Sequence, residues 1–464
     1  MTGEVSSETL RLLRLGREIH ADQYRSNRLP FGVTEAHGVR KRLVELDGPH
    51  AGRSFEAIDA TGGYGSACLG AGHPVVRDSL VRGITEAGYA TDEVGSLERS
   101  RLLAELFGPD GLWTSHFPAG DYHVSGRSSG SEGMELALRL VLESRVDQRT
   151  LRPARDKGTR DLIVAFEGAW HGWTSGLVPL LNRRHYRAGL PEPAADGPTG
   201  VSVRHLPFGD TGVIEDFFTE FGHRVLAVFV EPIQGDAGVL ISESGFLRSL
   251  SDLASGAGAL LVADEVLTFA KTGSFLAMAD EHGPIPTDIT VIGKNIGMGA
   301  IPLSMVIARR SLSVRASGGV ATSDLRPLAC AVVRDCLRYI REDGLLERTR
   351  TTGERLGELV RTELVQRFPD IYREERGIGF MRGVELTEQA AAAAGQMREH
   401  VVRAGAYVEF MAGAGRRSRG LRYVFPTLRI TPPLVSTDAD LAELIDRIAS
   451  GSEAFANRLV SRVA

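Results

Sequence analysis

The sequence has few cysteines, no long apolar run and little net charge, and each shortage excludes a class of protein. Three cysteines in 464 residues form no Cys-x-x-Cys pair and are odd in number, which argues against a disulfide framework or a thiolate metal cage. No apolar stretch approaches membrane-spanning length, and no signal peptide is recognisable. A net charge of -5 leaves no footprint for nucleic acid. We expect a cytoplasmic protein that binds neither nucleic acid nor membrane, and whose partner is small.

Lysine is also scarce, although basic residues are not. Only four of the 54 basic residues are lysines, namely Lys41, Lys157, Lys271 and Lys294. Lys294 alone interrupts an apolar segment bounded by glycines, residues 288–302. Arginine keeps its charge at any accessible pH, whereas a desolvated lysine loses its proton and attacks a carbonyl as a free amine. Lys294 is therefore the candidate nucleophile for Schiff-base chemistry, and the alternative is a surface lysine in a glycine-rich turn.

Short apolar runs alternate with amphipathic helices between about residue 75 and about residue 325. The runs are nearly all apolar, as expected for strands buried on both faces of a parallel sheet. They cover residues 162–166, 225–230, 259–263, 289–292 and 303–308. The sequence therefore predicts an α/β fold with a mainly parallel sheet flanked by helices.

The composition also suggests how the chain divides. Residues 1–74 are expected to form an N-terminal arm and part of a small domain, residues 75–325 the large domain, and residues 326–464 a smaller α+β domain. A loop around residues 190–200, rich in proline and glycine, is interpreted as an insertion.

Polar or aromatic side chains follow the buried runs, where ligands bind in doubly wound sheets. They are Trp170, Glu231, Asp264 and Lys294. A buried carboxylate such as Asp264 needs a cation, for which a protonated pyridine nitrogen or an arginine would serve, or it caps the next helix. Trp170, beside glycines, either stacks on a flat ring or belongs to the core. His171 is interpreted as a satisfied histidine, because no second ligand stands at metal-ligand spacing.

The segment 128–140 has the pattern of a helix start. Ser129 and Glu132 have capping-box spacing, and apolar residues then recur at helical intervals. Gly130 leaves the first amides uncovered, so that Ser131 and its neighbours could hold a phosphate at the positive end of the helix. An ordinary capped helix is the alternative.

Five motifs in this order resemble the class III aminotransferases, a family of fold type I pyridoxal-phosphate enzymes. They are SSGSE (128–132), AWHG (169–172), VEPIQGDAGV (230–239), LLVADEV (260–266) and ITVIGKNIGMGAIPL (289–303). The resemblance extends from about residue 55 to the end of the chain. It implies the family's fold, pyridoxal 5'-phosphate as cofactor, and the transfer of an amino group.

The resemblance also implies roles for single residues. Lys294 would carry the cofactor as a Schiff base and move the proton, while Asp264 would pair with the pyridine nitrogen and Trp170 would stack on the ring. Gly130 and Ser131 would bind the phosphate. Thr322, five residues before Pro327, matches a threonine that reaches the phosphate of the neighbouring subunit, which implies a homodimer with active sites at its interface.

Departures from the family pattern bear on the substrate. Arg429 stands where the family binds a substrate carboxylate, or else it forms a surface salt bridge. Asp236 stands where many members have a glutamate that neutralises this arginine, and Leu267 replaces a frequent glutamine that contacts the cofactor hydroxyl. Trp173 replaces an arginine that binds a substrate carboxylate in many relatives. We therefore expect a bulkier or less charged substrate than a dicarboxylate or a basic amino acid.

The leading hypothesis is an aminotransferase that moves an amino group between an amine or amino acid and a keto or aldehyde acceptor. An isomerase resembling glutamate-1-semialdehyde 2,1-aminomutase, or an amino-acid epimerase on the same scaffold, is the alternative, and decarboxylation is a third. A non-catalytic binding protein is disfavoured, because Lys294 and Asp264 are both present.

Overall fold

The computed structural model describes residues 3–23, 28–182, 189, 200–314, 318–411, 413 and 424–463, the last six by their backbone alone. Most of the insertion predicted around residues 190–200 lies outside the described residues. Among the described helices, none combines the length and the apolar character needed to cross a bilayer.

Twenty strands are described. In chain order they are β1 (Gly3–Glu4), β2 (Phe31–His37), β3 (Arg40–Glu45), β4 (Arg53–Asp59), β5 (Tyr122–Arg127), β6 (Leu162–Phe166), β7 (Ser202–Leu206), β8 (Val225–Val230), β9 (Ile233–Gln234), β10 (Leu240–Ile241), β11 (Leu260–Glu265), β12 (Ala279–Asp280), β13 (Gly283–Pro284), β14 (Ile289–Ile292), β15 (Ser304–Arg309), β16 (Tyr372–Ile378), β17 (Met381–Leu386), β18 (Ala406–Tyr407), β19 (Glu409–Met411) and β20 (Thr427–Ile430).

The described helices surround these strands. They are α1 (Ser7–Ile19), the short turn α2 (Gly62–Gly65), α3 (Pro74–Thr85), α4 (Leu97–Phe107), α5 (Gly130–Glu143), α6 (Thr211–Phe221), α7 (Phe246–Ala257), α8 (Pro327–Glu342), α9 (Leu345–Val360), α10 (Glu388–Ala391), α11 (Ala394–Arg403) and α12 (Asp438–Val463). Shorter 3-10 turns include Lys294–Gly297, and a π-helical segment, Arg361–Gln366, follows α9.

A seven-stranded sheet in the order β5-β15-β14-β11-β8-β6-β7 forms the centre of the molecule. Six of its strands run in one direction, so the predicted mainly parallel sheet is confirmed. The run predicted at residues 303–308 was wrongly grouped with the parallel strands, because β15 is antiparallel to both β14 and β5. Only a 3-10 turn lies between β14 and β15, and a parallel pair needs a longer crossover, usually a helix.

Helices cover both faces of this sheet. Alternate residues of a strand point to opposite faces, so Phe229 packs towards α5, whereas Val228 packs towards α6 and α7. The predicted apolar stripe of α5 is buried, and Ser129 caps the helix by accepting a hydrogen bond from the backbone N–H of Glu132 at 3.2 Å. The carboxylate of Glu132 accepts from the N–H of Ser128, one residue earlier than a capping box requires.

Two smaller sheets, of four and five strands, and the two-stranded pairs β9–β10 and β12–β13 complete the described fold. One contains β16, β17, β20 and β19 and lies wholly in the C-terminal part. The other joins β1, β4, β3 and β2 of the N-terminal part to β18, which runs parallel to β4 with Ala406 opposite Ile58. The division at residues 74 and 325 stays a prediction. A small domain formed by both parts of the chain would be expected to pair their strands, as β4 and β18 do.

Candidate active site

One cavity of about 1090 Å³ collects nearly all of the candidate site residues at the carboxyl ends of the parallel strands. Its lining includes Gly130, Ser131, Trp170, Trp173, Asp236, Asp264, Lys294 and Arg429. Thr322 is an exception: it is exposed, precedes α8, and is not in the lining. The order of the strands therefore brings together residues that are up to about three hundred positions apart in the chain.

Lys294 follows β14 directly and begins the 3-10 turn. Its backbone has φ 46°, a left-handed conformation that non-glycine residues seldom adopt and that often marks functional positions. Burial, followed by the positive charge of Arg429, lowers the pKa of Lys294 to about 8. A much larger share of this amine is therefore uncharged near neutral pH than in an ordinary lysine.

Asp264 lies near the end of β11 and is buried. Its Oδ2 lies 2.8 Å from Nδ1 of His171, and its Oδ1 accepts a hydrogen bond from the backbone N–H of Val266 at 3.0 Å. The other ring nitrogen of His171, Nε2, is buried and has no hydrogen-bond partner among the described residues. His171 therefore fixes the position of the carboxylate, a contact that the sequence did not reveal.

The first turn of α5 faces the same cavity. The hydroxyl of Ser131 accepts a hydrogen bond from the backbone N–H of Trp173 at 3.2 Å. A Cβ on Gly172, whose φ is +124°, would lie 2.6 Å from this hydroxyl. A Cβ on Gly130 would lie 2.6 Å from Cγ1 of Val266. Gly172 thus leaves room for the side chain of Ser131, and Gly130 leaves room for that of Val266, so the start of α5 packs closely against both segments. Its first amides form the positive end of the helix.

Two tryptophans form an aromatic wall. The rings of Trp170 and Trp173 meet edge to face, with centroids 4.3 Å apart. Trp170 is half-buried, whereas Trp173 is 65% exposed. Trp173 therefore presents an apolar surface at the mouth of the cavity, where many relatives would have a charge.

Glu231, immediately after β8, accepts a hydrogen bond from the backbone N–H of Trp170 at 3.3 Å. Burial and the neighbouring charge of Asp264 raise the pKa of Glu231 well above its ordinary value. The protonated form of Glu231 is therefore favoured more strongly than in an ordinary glutamic acid, which reduces the negative charge beside Asp264.

Arg429 on β20 forms a buried ion pair that the sequence analysis missed. Its Nε and Nη2 donate to the same oxygen of Glu409, Oε1, at 2.9 and 2.5 Å. The two residues lie directly opposite each other in the antiparallel pair β19–β20. Glu409 is an acid within the apolar segment 406–411, and that interruption was the available signal.

The burial of Lys271 near the site was not predicted from the sequence. The Nζ of this buried lysine donates to the backbone oxygen of Leu267 at 2.6 Å. Burial, followed by the charge of Lys294, lowers the pKa of Lys271 well below its ordinary value.

Leu267, which replaces the family's glutamine, packs with Met381. A Cβ on Gly235 would lie only 1.9 Å from Cδ2 of Leu267.

Comparison with known proteins agrees with this geometry. The family model of class III aminotransferases matches residues 24–451. The mitochondrial ornithine aminotransferase of Oryza sativa subsp. japonica is 30% identical over 82% of this chain and 74% of its own length. The ornithine aminotransferase of Bordetella pertussis is 29% identical over 95% of this chain and 96% of its own length.

A solved structure supports the fold. The ornithine aminotransferase of Toxoplasma gondii superposes with a TM-score of 0.78 at 23% identity, covering 98% of this chain and 97% of its own. The chain belongs to the class III aminotransferases, and it is a pyridoxal-phosphate-dependent enzyme that transfers an amino group. The relatives are transaminases, so the mutase or epimerase alternative is not favoured.

The donor set of the cavity fits this cofactor. An amine of lowered pKa, a buried carboxylate held by a histidine, an aromatic wall and a helix N-terminus with a serine hydroxyl line one space. These are the groups that an aldehyde, a pyridine nitrogen, a flat ring and a phosphate require.

Proposed function

We propose that this enzyme transfers an amino group from a donor that carries fewer charges than a dicarboxylic or a basic amino acid, and that Lys294 is its nucleophile and proton carrier. The observation that supports this most directly is the presence of Lys294, Asp264 and the start of α5 around one cavity. When bound, pyridoxal phosphate supplies an aldehyde that condenses with amines and a ring that withdraws electrons from the bond being broken.

The chain's own residues would bind, orient and move protons. Gly130 and Ser131 would hold the phosphate with backbone amides and a hydroxyl. Asp264, kept in place by His171, would hold a proton on the ring nitrogen. Trp170 would lie against the ring. The Nζ of Lys294 would take the proton from the amine-bearing carbon of the donor and deliver it to the carbon that carried the aldehyde, and it would move a proton in the opposite direction in the second half of the reaction.

The substrate preference rests on Trp173 and Arg429. An exposed tryptophan offers no charge to a substrate carboxylate, and Arg429 is already paired with the carboxylate of Glu409. The named relatives are ornithine and acetylornithine aminotransferases, but we expect this chain to disfavour such donors. Trp173→Arg should raise kcat/KM for ornithine about tenfold or more, since a charge-assisted hydrogen bond to a carboxylate contributes about 1.5–3 kcal/mol.

A half-reaction tests the function. The holoenzyme is mixed with a candidate donor and no acceptor, and one equivalent of carbonyl product per site should form together with a change in the cofactor's absorbance. Adding a keto acid or aldehyde acceptor should reverse the change. Product formed without any net change in the cofactor would indicate an isomerase or epimerase, and no product with any of a broad donor panel would refute a transaminase.

We further propose a homodimer with Thr322 facing the partner's site, in the cytoplasm. Five apolar residues between positions 81 and 97 are more than half exposed in the single chain, which is unusual for a surface that stays in water. They are Val81, Ile84, Tyr89, Val94 and Leu97. The three cysteines are free, buried thiols, which fits a reducing compartment.

Mixing two impaired variants, at a cofactor concentration that limits Thr322→Ala, tests the dimer. A hybrid of Thr322→Ala and Lys294→Ala subunits contains one site with both an intact lysine and the partner's intact threonine. Activity should therefore return on mixing. If Thr322 acted within its own subunit, the hybrid would be no more active than Thr322→Ala alone.

A further inference from the structure

Glu409 has a carboxylate oxygen for which the described residues provide no hydrogen-bond donor. Glu409 lines the cavity, and its side chain is 3% exposed. Arg429 donates twice to Oε1, whereas a side-by-side ion pair would use both oxygens. The second oxygen, Oε2, is buried and accepts no hydrogen bond from the described residues. An unsatisfied buried acceptor is unfavourable, and such atoms are rare unless a ligand or ion completes them.

The surroundings restrict what can approach Oε2. Glu409 is held in β19 directly opposite Arg429, so the regular pairing of two strands keeps the acid beside the arginine. The cavity contains charges of both signs: Asp236 and Asp264 line it, and so do Arg28 and Arg398, while burial raises the pKa of Glu231. At Oε2 itself, a carboxylate of the substrate would meet the carboxylate of Glu409, to which Arg429 is already paired. A hydrogen-bond donor would instead find a free lone pair.

We propose that Oε2 of Glu409 binds a hydrogen-bond donor at the far end of the amine substrate, either a hydroxyl or a second ammonium group. This inference rests on the proposed function, since it names the substrate class of the same site. The preferred donors are then amino alcohols or diamines, and ω-amino acids are disfavoured. Glu409 acts here as a specificity-determining residue, and Lys294 remains the reacting group.

A matched series of substrates tests the inference on the wild-type holoenzyme. An alkylamine, an amino alcohol, a diamine and an ω-amino acid are compared on propyl, butyl and pentyl chains. At the best chain length, kcat/KM for the amino alcohol or the diamine should exceed that of the alkylamine by about tenfold or more. A preference for the amino alcohol alone assigns a hydroxyl, and a preference for the diamine assigns an ammonium group.

Two variants distinguish a specific role of Glu409 in substrate preference from the general effect of removing a buried acid. Glu409→Gln should abolish the preference for amino alcohols or diamines. It should also raise kcat/KM for the ω-amino acid, because the positive charge of Arg429 is then no longer paired with an acid. Glu375 is the matched control: it is a buried glutamate of the same sheet, paired with Arg382 of the adjacent strand at 3.0 Å, and it is absent from the described lining of the cavity. Glu375→Gln should leave the order of substrates unchanged.

A readout without turnover accompanies these rates. Lys294→Ala holoenzyme binds amines without completing the reaction, and the change of cofactor absorbance gives a dissociation constant for each compound. The order of these constants should match the order of the rates. Equal binding of all the uncharged and cationic compounds, tightest binding of the ω-amino acid, or an equal response of Glu409→Gln and Glu375→Gln would overturn the inference. If transamination with other donors persists in that case, the proposed function stands and only this inference fails.

Discussion

The rate at which the apoenzyme attaches pyridoxal phosphate should follow the uncharged fraction of Lys294. Burial and the charge of Arg429 lower the pKa of this lysine to about 8. With that pKa, the uncharged fraction rises from about 9% near pH 7 to about 91% near pH 9, so the rate should rise about tenfold and then level off. An ordinary lysine, with a pKa of about 10.4, would give a rise of nearly a hundredfold with no plateau in this range.

The assay is stopped-flow absorbance of apoenzyme mixed with excess cofactor at a series of pH values. Lys294→Ala provides the blank for non-covalent binding. Arg429→Gln is the informative variant: it removes the positive charge that opposes protonation of Lys294, so its midpoint should move to higher pH. The reasoning would be refuted if the wild-type rate kept rising about tenfold per pH unit beyond about pH 9.

Three substitutions give further predictions. Asp264→Asn should lower kcat on the order of a hundredfold while thermal unfolding still shows a folded protein, because the group proposed to hold the ring proton loses its charge. Ser131→Ala should raise the dissociation constant of the cofactor about tenfold, measured by titration of the apoenzyme, since one hydroxyl contact to a charged phosphate is lost. Gly235→Ala should cost about 1–3 kcal/mol in the free energy of unfolding, because its Cβ would lie 1.9 Å from Leu267. Gly256→Ala, whose Cβ meets nothing within 4 Å, should not destabilise the protein, and equal losses in the two glycine variants would contradict the packing argument.

The sequence predicted the large sheet well because its strands are buried on both faces. The runs at 162–166, 225–230 and 289–292 match β6, β8 and β14 residue for residue. The edge strands β5 and β7 were not predicted: Tyr122–Arg127 and Ser202–Leu206 each contain one arginine and one histidine, so neither forms a continuous apolar run. The reversal of β15 depends on the connection and not on the apolar pattern of the strand, which is the same for both directions.

The candidate site was likewise predicted only in part. The sequence placed Lys294, Asp264, Trp170 and the start of α5 near one another because each lies at or beyond the end of a strand or begins a helix, and strand ends converge in this kind of sheet. The partners of these residues could not be identified. Glu409 lies twenty positions before Arg429, and only the register of β19 against β20 places the two opposite each other. His171 reaches Asp264 from a different strand end, which depends on the order of the strands.

The most direct test of the account is to locate the amine that carries the cofactor. Two of the described lysines, Lys294 and Lys271, have a lowered pKa, and only Lys294 lines the described cavity. The holoenzyme is reduced with borohydride, digested, and its peptides are sequenced by mass spectrometry. The account predicts one pyridoxyl-modified lysine, Lys294. Modification of Lys271 instead, or no modified lysine in a protein that binds the cofactor, would contradict it.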